Sequence, residues 1–380
     1  MFQYFPTNYV WNLSVNIAMN CGAQIGEIDR VCAPLVEVSQ QGDDAGTEQF
    51  FWSWCAMADT LARYAAQDAA EGHALSAGAK YARASTYLMV AERMQARDFA
   101  PRAEAYRAMK EYFALAVENG RENCEFVDIP FEGSSFPALF VRAEGVDGPA
   151  RTMVFCNGLD SMKEMVFRAG MPAELARRGI STLIVDQPGT GGALRDQGLH
   201  GFHDSERWAS AAMDVLLARD DVDPERIGIM GWSLGGYYAP RAAAFEKRFS
   251  LCAVWGANYN WGELQKRRLA REGDRPVPHY WSHVQWVFGK ESLEAFMEWA
   301  PCMTLEGVVE RIDVPFLVTH GESDRQIPLE FARPQYELAT ASPKREWHLF
   351  SNDLGGSSHA SADNEAIATS YISDWINDNL

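Results

Sequence analysis

The sequence predicts an α/β fold, with a mostly parallel sheet covered by helices on both faces and a helical region ahead of it. Three observations carry that prediction. The first 123 residues hold long Ala-rich stretches without internal proline. From Cys124 onward, short apolar runs alternate with helix-like stretches, the pattern of a parallel sheet buried on both faces. One of those runs, Ile227–Met230, leads directly into Gly231-Trp232-Ser233-Leu234-Gly235-Gly236, a sharp strand-to-helix turn built around a serine.

In the N-terminal third, Phe50–Ala66 and Ala77–Met94 are predicted helices. Trp54, Met57, Ala58, Leu61 and Tyr64 recur at three- and four-residue steps, as on the apolar face of an amphipathic helix. The run Gly72–Gly78, reading GHALSAG, is the expected turn between them. No second copy recurs at a fixed period, which sets a repeat architecture aside. The segments CEFVDIPFEG (124–133) and FPALFVRAEG (136–145) each end in turn residues and read as an antiparallel strand pair.

The alternation then begins. Thr152–Cys156 is a strand, followed by a helix around Met171–Arg178. Ser181–Val185 is the next strand, followed by a helix around Ser205–Leu217. Ile227–Met230 feeds the serine turn, and YYAPRAAAFEKRF continues beyond it as a helix. Leu251–Trp255, Pro315–Thr319 and Glu346–Phe350 complete the strands, and Asn364–Ile376 is a closing helix. Between Trp255 and Pro315 the chain is aromatic-rich, partly helical and too long for a plain connection. The expected organisation is therefore a helical N-terminal cap region at 1–123 and a catalytic domain at 124–380, with a lid insertion at 256–312. Aromatic residues in such an insertion also pack a local core, and both roles are compatible over an apolar pocket.

Composition narrows the function. The net charge of −18 argues against nucleic acid, which needs a basic surface, and against docking on anionic membranes. No apolar run approaches the roughly 20 residues of a membrane span. The N-terminus lacks a basic start and a clean apolar core, so it does not read as a signal peptide. Seven scattered cysteines without C-x-x-C spacing read as reduced thiols of a cytoplasmic protein. No His/Cys cluster has zinc spacing and no phosphate-binding G-x-x-x-x-G-K-[ST] loop is present. Neither a metal nor a cofactor is expected.

A serine is a weak nucleophile unless a base touches it and an acid orients that base. Where the nucleophile stands on such a turn, the partners follow in the order acid, then histidine. After the strand ending at Thr319 comes His320-Gly321-Glu322-Ser323-Asp324. Asp324 is the candidate acid by the H-G-x-x-D spacing, with Glu322 as the competitor. After Phe350, the small-residue loop Ser351–Ser358 ends in His359, the candidate base. His348 lies inside a strand and reads as structural, while His320 stands at a strand end where it could line the site. The oxyanion of acyl transfer needs two backbone N–H donors. Leu234, directly after the serine, is one. Leu159, in the loop Asn157-Gly158-Leu159-Asp160-Ser161, is the candidate for the second. The Asp186–Gly191 turn reads as loop-shaping, since its glycines do not complete a dinucleotide fingerprint.

With GWSLGG, DQPGTGG, HGESD and the late SSHA loop in this order, the chain from Cys124 onward resembles the α/β-hydrolase superfamily. NGLDSMKE at 157–164, GWSLGGYYAPRAAAFEKR and the helical first third together resemble a narrower group. It contains 2,6-dihydroxypseudooxynicotine hydrolase, fungal polyketide-shortening hydrolases and FrsA-like esterases. This resemblance spans nearly the whole chain. It implies a helical region capping a hydrolase core, and cleavage of carbon–carbon bonds beside a ketone, or of esters. The group carries two glycines where Asn157-Gly158 stand here. Some members are proposed to use an extra acidic residue in the cap, and Glu263 in NWGEL is the matching candidate.

The expectation is thus a cofactor-free serine hydrolase acting on a small-molecule carbonyl substrate, with a 1,3-diketone or acylphenol ahead of an ester. Acyl transfer, peptidase action and a non-catalytic binding role on the same fold are the alternatives; the fold alone does not choose among them. Trp232, Glu263, His279, Tyr280 and Trp281 are candidate substrate-binding residues. A homodimer through the helical region is the expected assembly, because apolar helices outside a core seek a partner.

Overall fold

In a computed structural model, which describes residues 1–271 and 275–380, the chain divides into two units. One holds Met1–Cys124 and Arg275–His283. The other holds the described residues of Glu125–Asp274 together with Val284–Leu380. Within the expected 256–312 insertion, residues 275–283 therefore group with the helical unit, and 272–274 lie outside the described residues.

The first unit is built from helices, chiefly Tyr9–Asn20, Thr47–Ala70, Ala74–Arg93 and Pro101–Gly120. Asn8 starts the first of these by accepting the Trp11 N–H at 3.0 Å, which satisfies one of the donors a helix start leaves open. Phe5, Trp11, Phe50, Trp54 and Tyr87 form a chain of ring contacts at 5.0–5.4 Å through the interior. The Arg93 guanidinium, buried, reaches the carbonyl of Pro276 at 2.7 Å and ties the returning segment to this unit.

Two expectations need correction here. The turn before Ala74 is shorter than GHALSAG suggested, and Gly78 is helical. A Cβ at Gly78 would meet the Gly120 backbone N at 2.6 Å, so this glycine serves a close helix crossing rather than a turn. Tyr64 is 48% exposed, whereas Ala65 is buried. At 3.6 residues per turn, position 64 lies about 80° off the Trp54 direction and position 65 about 20°.

The second unit is organised by one eight-stranded sheet. Its strands are β1 (Glu125–Phe131), β2 (Ser134–Val141), β3 (Ala150–Cys156), β4 (Ile180–Val185), β5 (Val222–Trp232), β6 (Leu251–Trp255), β7 (Phe316–Gly321) and β8 (Arg345–Phe350). Their spatial order is β1-β2-β4-β3-β5-β6-β7-β8. β1 and β2 are antiparallel, as are β2 and β4, and all other neighbours are parallel. The β1–β2 hairpin turns through Glu132 and Gly133, both at positive φ, as a tight two-residue hairpin requires. Every residue of β4 and β6 is buried, because helices cover both faces.

The chain runs from β3 to β4 on one side and then crosses to β5 on the other. Such a reversal opens a crevice beyond the carboxyl ends of the strands. Three loops meet around that end: the segment after Cys156, the turn after Trp232 and the segment after Gly321. Register brings Cys156 opposite Gly231 and Trp232 opposite Trp255.

Glycines make the serine turn possible. A Cβ on Gly231 would stand 2.5 Å from both Cys156 Sγ and the Gly235 carbonyl, and one on Gly236 would stand 2.3 Å from the Gly256 carbonyl. Alanine normally strengthens a helix over glycine by about 1 kcal/mol. At Gly236, which lies in helix Gly235–Phe245, backbone collision reverses that sign. Gly236→Ala is expected to destabilise by about 1–3 kcal/mol, read as a lower denaturant midpoint at unchanged slope.

Candidate active site

Ser233 stands at φ +55, between the end of β5 and helix Gly235–Phe245. A left-handed backbone at a non-glycine residue costs of order 1 kcal/mol or more, so the surrounding structure must impose it. It does so through the Ser233 N–H, which donates to the Trp255 carbonyl at 2.9 Å. The strain holds the hydroxyl clear of the sheet, and Ser233 is accordingly half-buried.

His359 lies in the loop after β8, close to the serine. Gly321 ends β7, and a Cβ there would lie 2.2 Å from the Ser357 carbonyl, so the two loops can pass in contact. The Asp363 carboxylate accepts the N–H groups of Gly356 and Ser358 at 2.9 Å each. Beyond the imidazole, Ala360 and Ser361 both take positive φ. The Ser361 hydroxyl accepts the Trp255 indole N–H at 3.1 Å.

These loops bring Ser233, His359 and Asp324 into one line. His359 Nε2 is 2.8 Å from Ser233 Oγ, and His359 Nδ1 is 2.8 Å from Asp324 Oδ2. An ionised carboxylate only accepts, so Nδ1 carries the ring proton and Nε2 presents its lone pair to the serine hydroxyl. The other Asp324 oxygen accepts the backbone N–H groups of Gln326 at 2.8 Å and Ile327 at 3.0 Å. The carboxylate is only 1% exposed. Burial pushes its pKa upward, but the neighbouring His359, His320 and the Ile327 N–H outweigh this and leave it below the usual carboxylate range.

His320 is buried beside this group. Its Nε2 donates to the Ile327 carbonyl at 2.8 Å and lies 3.7 Å from Asp324 Oδ2. Burial lowers its pKa despite the nearby Asp324, so the ring stays neutral and fixes the bend of the acid loop. Glu322 faces elsewhere, accepting the backbone N–H and side-chain amide of Asn352 at 3.1 and 2.9 Å.

The loop after β3 passes against the serine. A Cβ built on Gly158 would sit 3.1 Å from Ser233 Cβ, so any side chain here would press the serine turn back by a few tenths of an ångström. The Gly158 N–H is taken by Ser161 Oγ at 2.8 Å. Among the described residues, the N–H groups of Leu159 and Leu234 have no protein acceptor. Two open donors beside a serine–imidazole–carboxylate line are what a developing oxyanion needs. Among the described residues, no three His, Cys, Asp or Glu side chains gather as metal ligands, and no helix is long and apolar enough to cross a membrane.

Two family models match the chain. An FrsA-like esterase model matches residues 42–260, and a prolyl oligopeptidase family model matches residues 168–378, each more than half of the chain. The chain is an α/β-hydrolase of the FrsA-like group. This hydrolase is 29% identical over 300 residues to 2,6-dihydropseudooxynicotine hydrolase of Paenarthrobacter nicotinovorans, covering 77% of this chain and 75% of that one. It is 27% identical over 399 residues to the hydrolase acrC of Aspergillus aculeatus, covering 91% of each. The crystal structure of 2,6-dihydroxy-pseudo-oxynicotine hydrolase shares its fold, with a TM-score of 0.77 at 23% identity over 96% of this chain and 95% of that one.

Other expected residues of the hydrolase stand differently. Trp232 is 5% exposed, with its ring against Phe155 and Trp255 and its indole N–H on Ser161. It packs beneath the turn rather than presenting a face to substrate. Glu263 is half exposed, pairs with Lys266 at 3.3 Å and sits in the first turn of helix Trp261–Arg271, where a carboxylate suits the helix dipole. His279, Tyr280 and Trp281 belong to the helical unit. His279, at φ +52, donates its N–H to Asp44 Oδ1 at 2.8 Å and has Nε2 3.3 Å from Thr47 Oγ1. Tyr280 is buried and its ring contacts Trp281 at 5.1 Å.

The β3 loop has supports of two origins: the Asp186–Gly191 turn, which the sequence marks as loop-shaping, and Asn157 with Ser161, whose roles the sequence reading does not assign. Asn157, Ser161, Asp186 and Gln187 are all buried and mutually bonded. The signal was present in the polar pair Asn157 and Ser161 flanking a glycine, a pattern that closes turns through side-chain hydrogen bonds.

Proposed function

We propose that this enzyme is a cofactor-independent serine hydrolase with Ser233 as nucleophile, His359 as general base and Asp324 as the carboxylate that orients it. The observation carrying this reading is the imidazole of His359, held at 2.8 Å from Ser233 on one side and 2.8 Å from Asp324 on the other. Ser233 Oγ attacks the substrate carbonyl carbon as its proton passes to Nε2. Asp324, ionised, stabilises the imidazolium and keeps Nδ1–H in place. The Leu234 and Leu159 N–H groups receive the oxyanion. When the tetrahedral adduct collapses, the bond to the leaving group breaks and His359 returns the proton to it. Water then attacks the acyl carbon as its proton passes to His359, the acyl–Ser233 Oγ bond breaks to release the carboxylic acid, and His359 returns the proton to Oγ.

We place the substrate among small carbonyl compounds cleaved at the carbon–carbon bond beside a ketone, as in a 1,3-diketone or an acylphenol. The leaving group is then an enolate or phenol carbanion equivalent, protonated on carbon. Kinship with the protein named 2,6-dihydropseudooxynicotine hydrolase supports this choice. The FrsA-like esterase match supports a second reading, a carboxylesterase acting on a small aromatic or polyketide-like ester.

The test is a panel of an aryl 1,3-diketone, an acylated polyhydroxyphenol and a short-chain nitrophenyl ester, with products identified by mass. Carbon–carbon cleavage is expected to exceed ester turnover in kcat/KM by at least about tenfold, a difference of about 1.4 kcal/mol in transition-state binding. Turnover of the ester alone makes the protein a carboxylesterase and sinks the carbon–carbon reading.

A further inference from the structure

The loop after β3 offers two successive backbone N–H groups near Ser233, and one side chain decides which of them is open. Ser161 Oγ accepts the Gly158 N–H at 2.8 Å and the Trp232 indole N–H at 3.0 Å, and donates to Asn157 Oδ1 at 2.7 Å. A hydroxyl has one donor and two acceptor sites, so this one is saturated. It links three points: the start of the loop, the glycine that touches Ser233, and the residue immediately before Ser233. Because Gly158 N–H is consumed, Leu159 N–H is the donor left over.

The link rests on rigid supports. The Asn157 amide donates to the Val185 carbonyl at 2.9 Å and to Asp186 Oδ1 at 3.2 Å. Gln187 grips the Asn157 backbone on both sides, at 3.0 and 2.9 Å. Asp186, fully buried, also accepts the Lys163 and Gly192 N–H groups at 2.7 and 2.8 Å and lies 3.1 Å from Lys163 Nζ. The loop is thus pinned at Asn157 and at Lys163, and Ser161 pins its middle to the nucleophile turn.

We propose that Ser161 is a positioning residue for the oxyanion donors: its hydroxyl holds Gly158 N–H out of the reaction and fixes Leu159 N–H at the right distance from the nucleophile. The inference rests on the Ser233 mechanism above and adds a residue to it. Without the hydroxyl, the Gly158 N–H is orphaned and the loop loses its tie to Trp232. The donor then moves relative to a transition state whose stabilisation depends on placement within a fraction of an ångström.

The experiment compares wild type with Ser161→Ala, Ser161→Thr and Trp232→Phe. It measures kcat and KM on a nitrophenyl ester and affinity for an aryl boronate, which mimics the tetrahedral adduct. Ser161→Ala is expected to lower kcat by about 10- to 100-fold with KM within about twofold, and to weaken boronate binding by a similar factor, since the Leu159 N–H bond to the oxyanion that it misplaces is made only in the transition state. Ser161→Thr, which keeps the hydroxyl, restores most of both. Trp232→Phe removes only the indole donor and produces a smaller loss that does not add to that of Ser161→Ala. If Ser161→Ala does not fold, Trp232→Phe carries the test through the same kcat and boronate readouts. Unchanged kcat and boronate affinity in the folded variants overturns the proposal, as does a loss confined to KM. Labelling of wild type by a fluorophosphonate separates the two layers. No labelling at Ser233 defeats the mechanism itself, while labelling together with an unaffected Ser161→Ala defeats only this inference.

Discussion

Ser233→Ala is expected to lower kcat by on the order of 10⁵-fold or more and to abolish fluorophosphonate labelling, with the fold intact. The magnitude follows from the role. A triad nucleophile acts as a unit with its base, and its removal costs about as much as removing the whole set. What survives is binding and the oxyanion donors, which still favour a water-attack route weakly. The fold survives because the Ser233 N–H bond to the Trp255 carbonyl is a backbone interaction that alanine retains. Rate and labelling decide the matter together. A variant that keeps wild-type turnover defeats the Ser233 mechanism whatever its stability.

The same position carries a second readout. Alanine inherits the strain of φ +55, whereas glycine does not. Ser233→Gly is therefore expected to be more stable than Ser233→Ala by about 1 kcal/mol, less the extra chain entropy of glycine. Activity is lost in both variants while stability separates them, which identifies strain stored at the turn rather than a damaged core.

Much of this architecture is legible in the sequence, for reasons that can be named. The central strands are buried on both faces, so Leu251–Trp255 is continuously apolar and Ser181–Val185 carries only the small polar Ser181 and Thr182 ahead of three apolar residues, and both stand out. The serine turn is visible because backbone contacts at Gly231 and Gly236 admit no side chain. Asp324 and His359 could be chosen because each lies just beyond a strand end, where the sheet gathers its loops. The first half of β5 was not visible. Its Asp223-Pro224-Glu225-Arg226 stretch is exposed apart from Asp223, which is half-buried, and it has no apolar signature. For Ser161, the bonds to Asn157 and Gly158 are local and leave a polar pattern in the loop, whereas the tie to Trp232 at the end of β5 forms only once the sheet has assembled and leaves no trace in the sequence. Only the family resemblance points to Glu263, and its surroundings are those of a solvated helix start.

Asp324→Asn separates geometry from charge at the third member of the line. Asparagine is close to isosteric, and its amide oxygen can still accept the Gln326 and Ile327 N–H groups that Asp324 Oδ1 accepts now. The other side-chain atom then becomes an NH₂ donor facing His359 Nδ1. The ring must turn over its proton, with Nδ1 accepting and Nε2 carrying hydrogen toward Ser233. An imidazole in that tautomer cannot take the serine proton, and a fall in kcat of on the order of 10⁴-fold is expected near neutral pH. The substitution also changes the response to acid. The folded pKa of Asp324 lies below its unfolded value, with burial opposed and outweighed by His359, His320 and the Ile327 N–H. Between the two values the unfolded chain binds more protons, so stability rises with pH there. This contribution is fully present above the unfolded value and is lost as pH falls through the folded one. Denaturant titrations across the acid range are expected to show a shallower loss of stability for Asp324→Asn than for wild type. Equal slopes would mean that Asp324 is not held ionised by its neighbours. A wild-type rate in the variant would show that the tautomer of His359 is set by something other than this carboxylate.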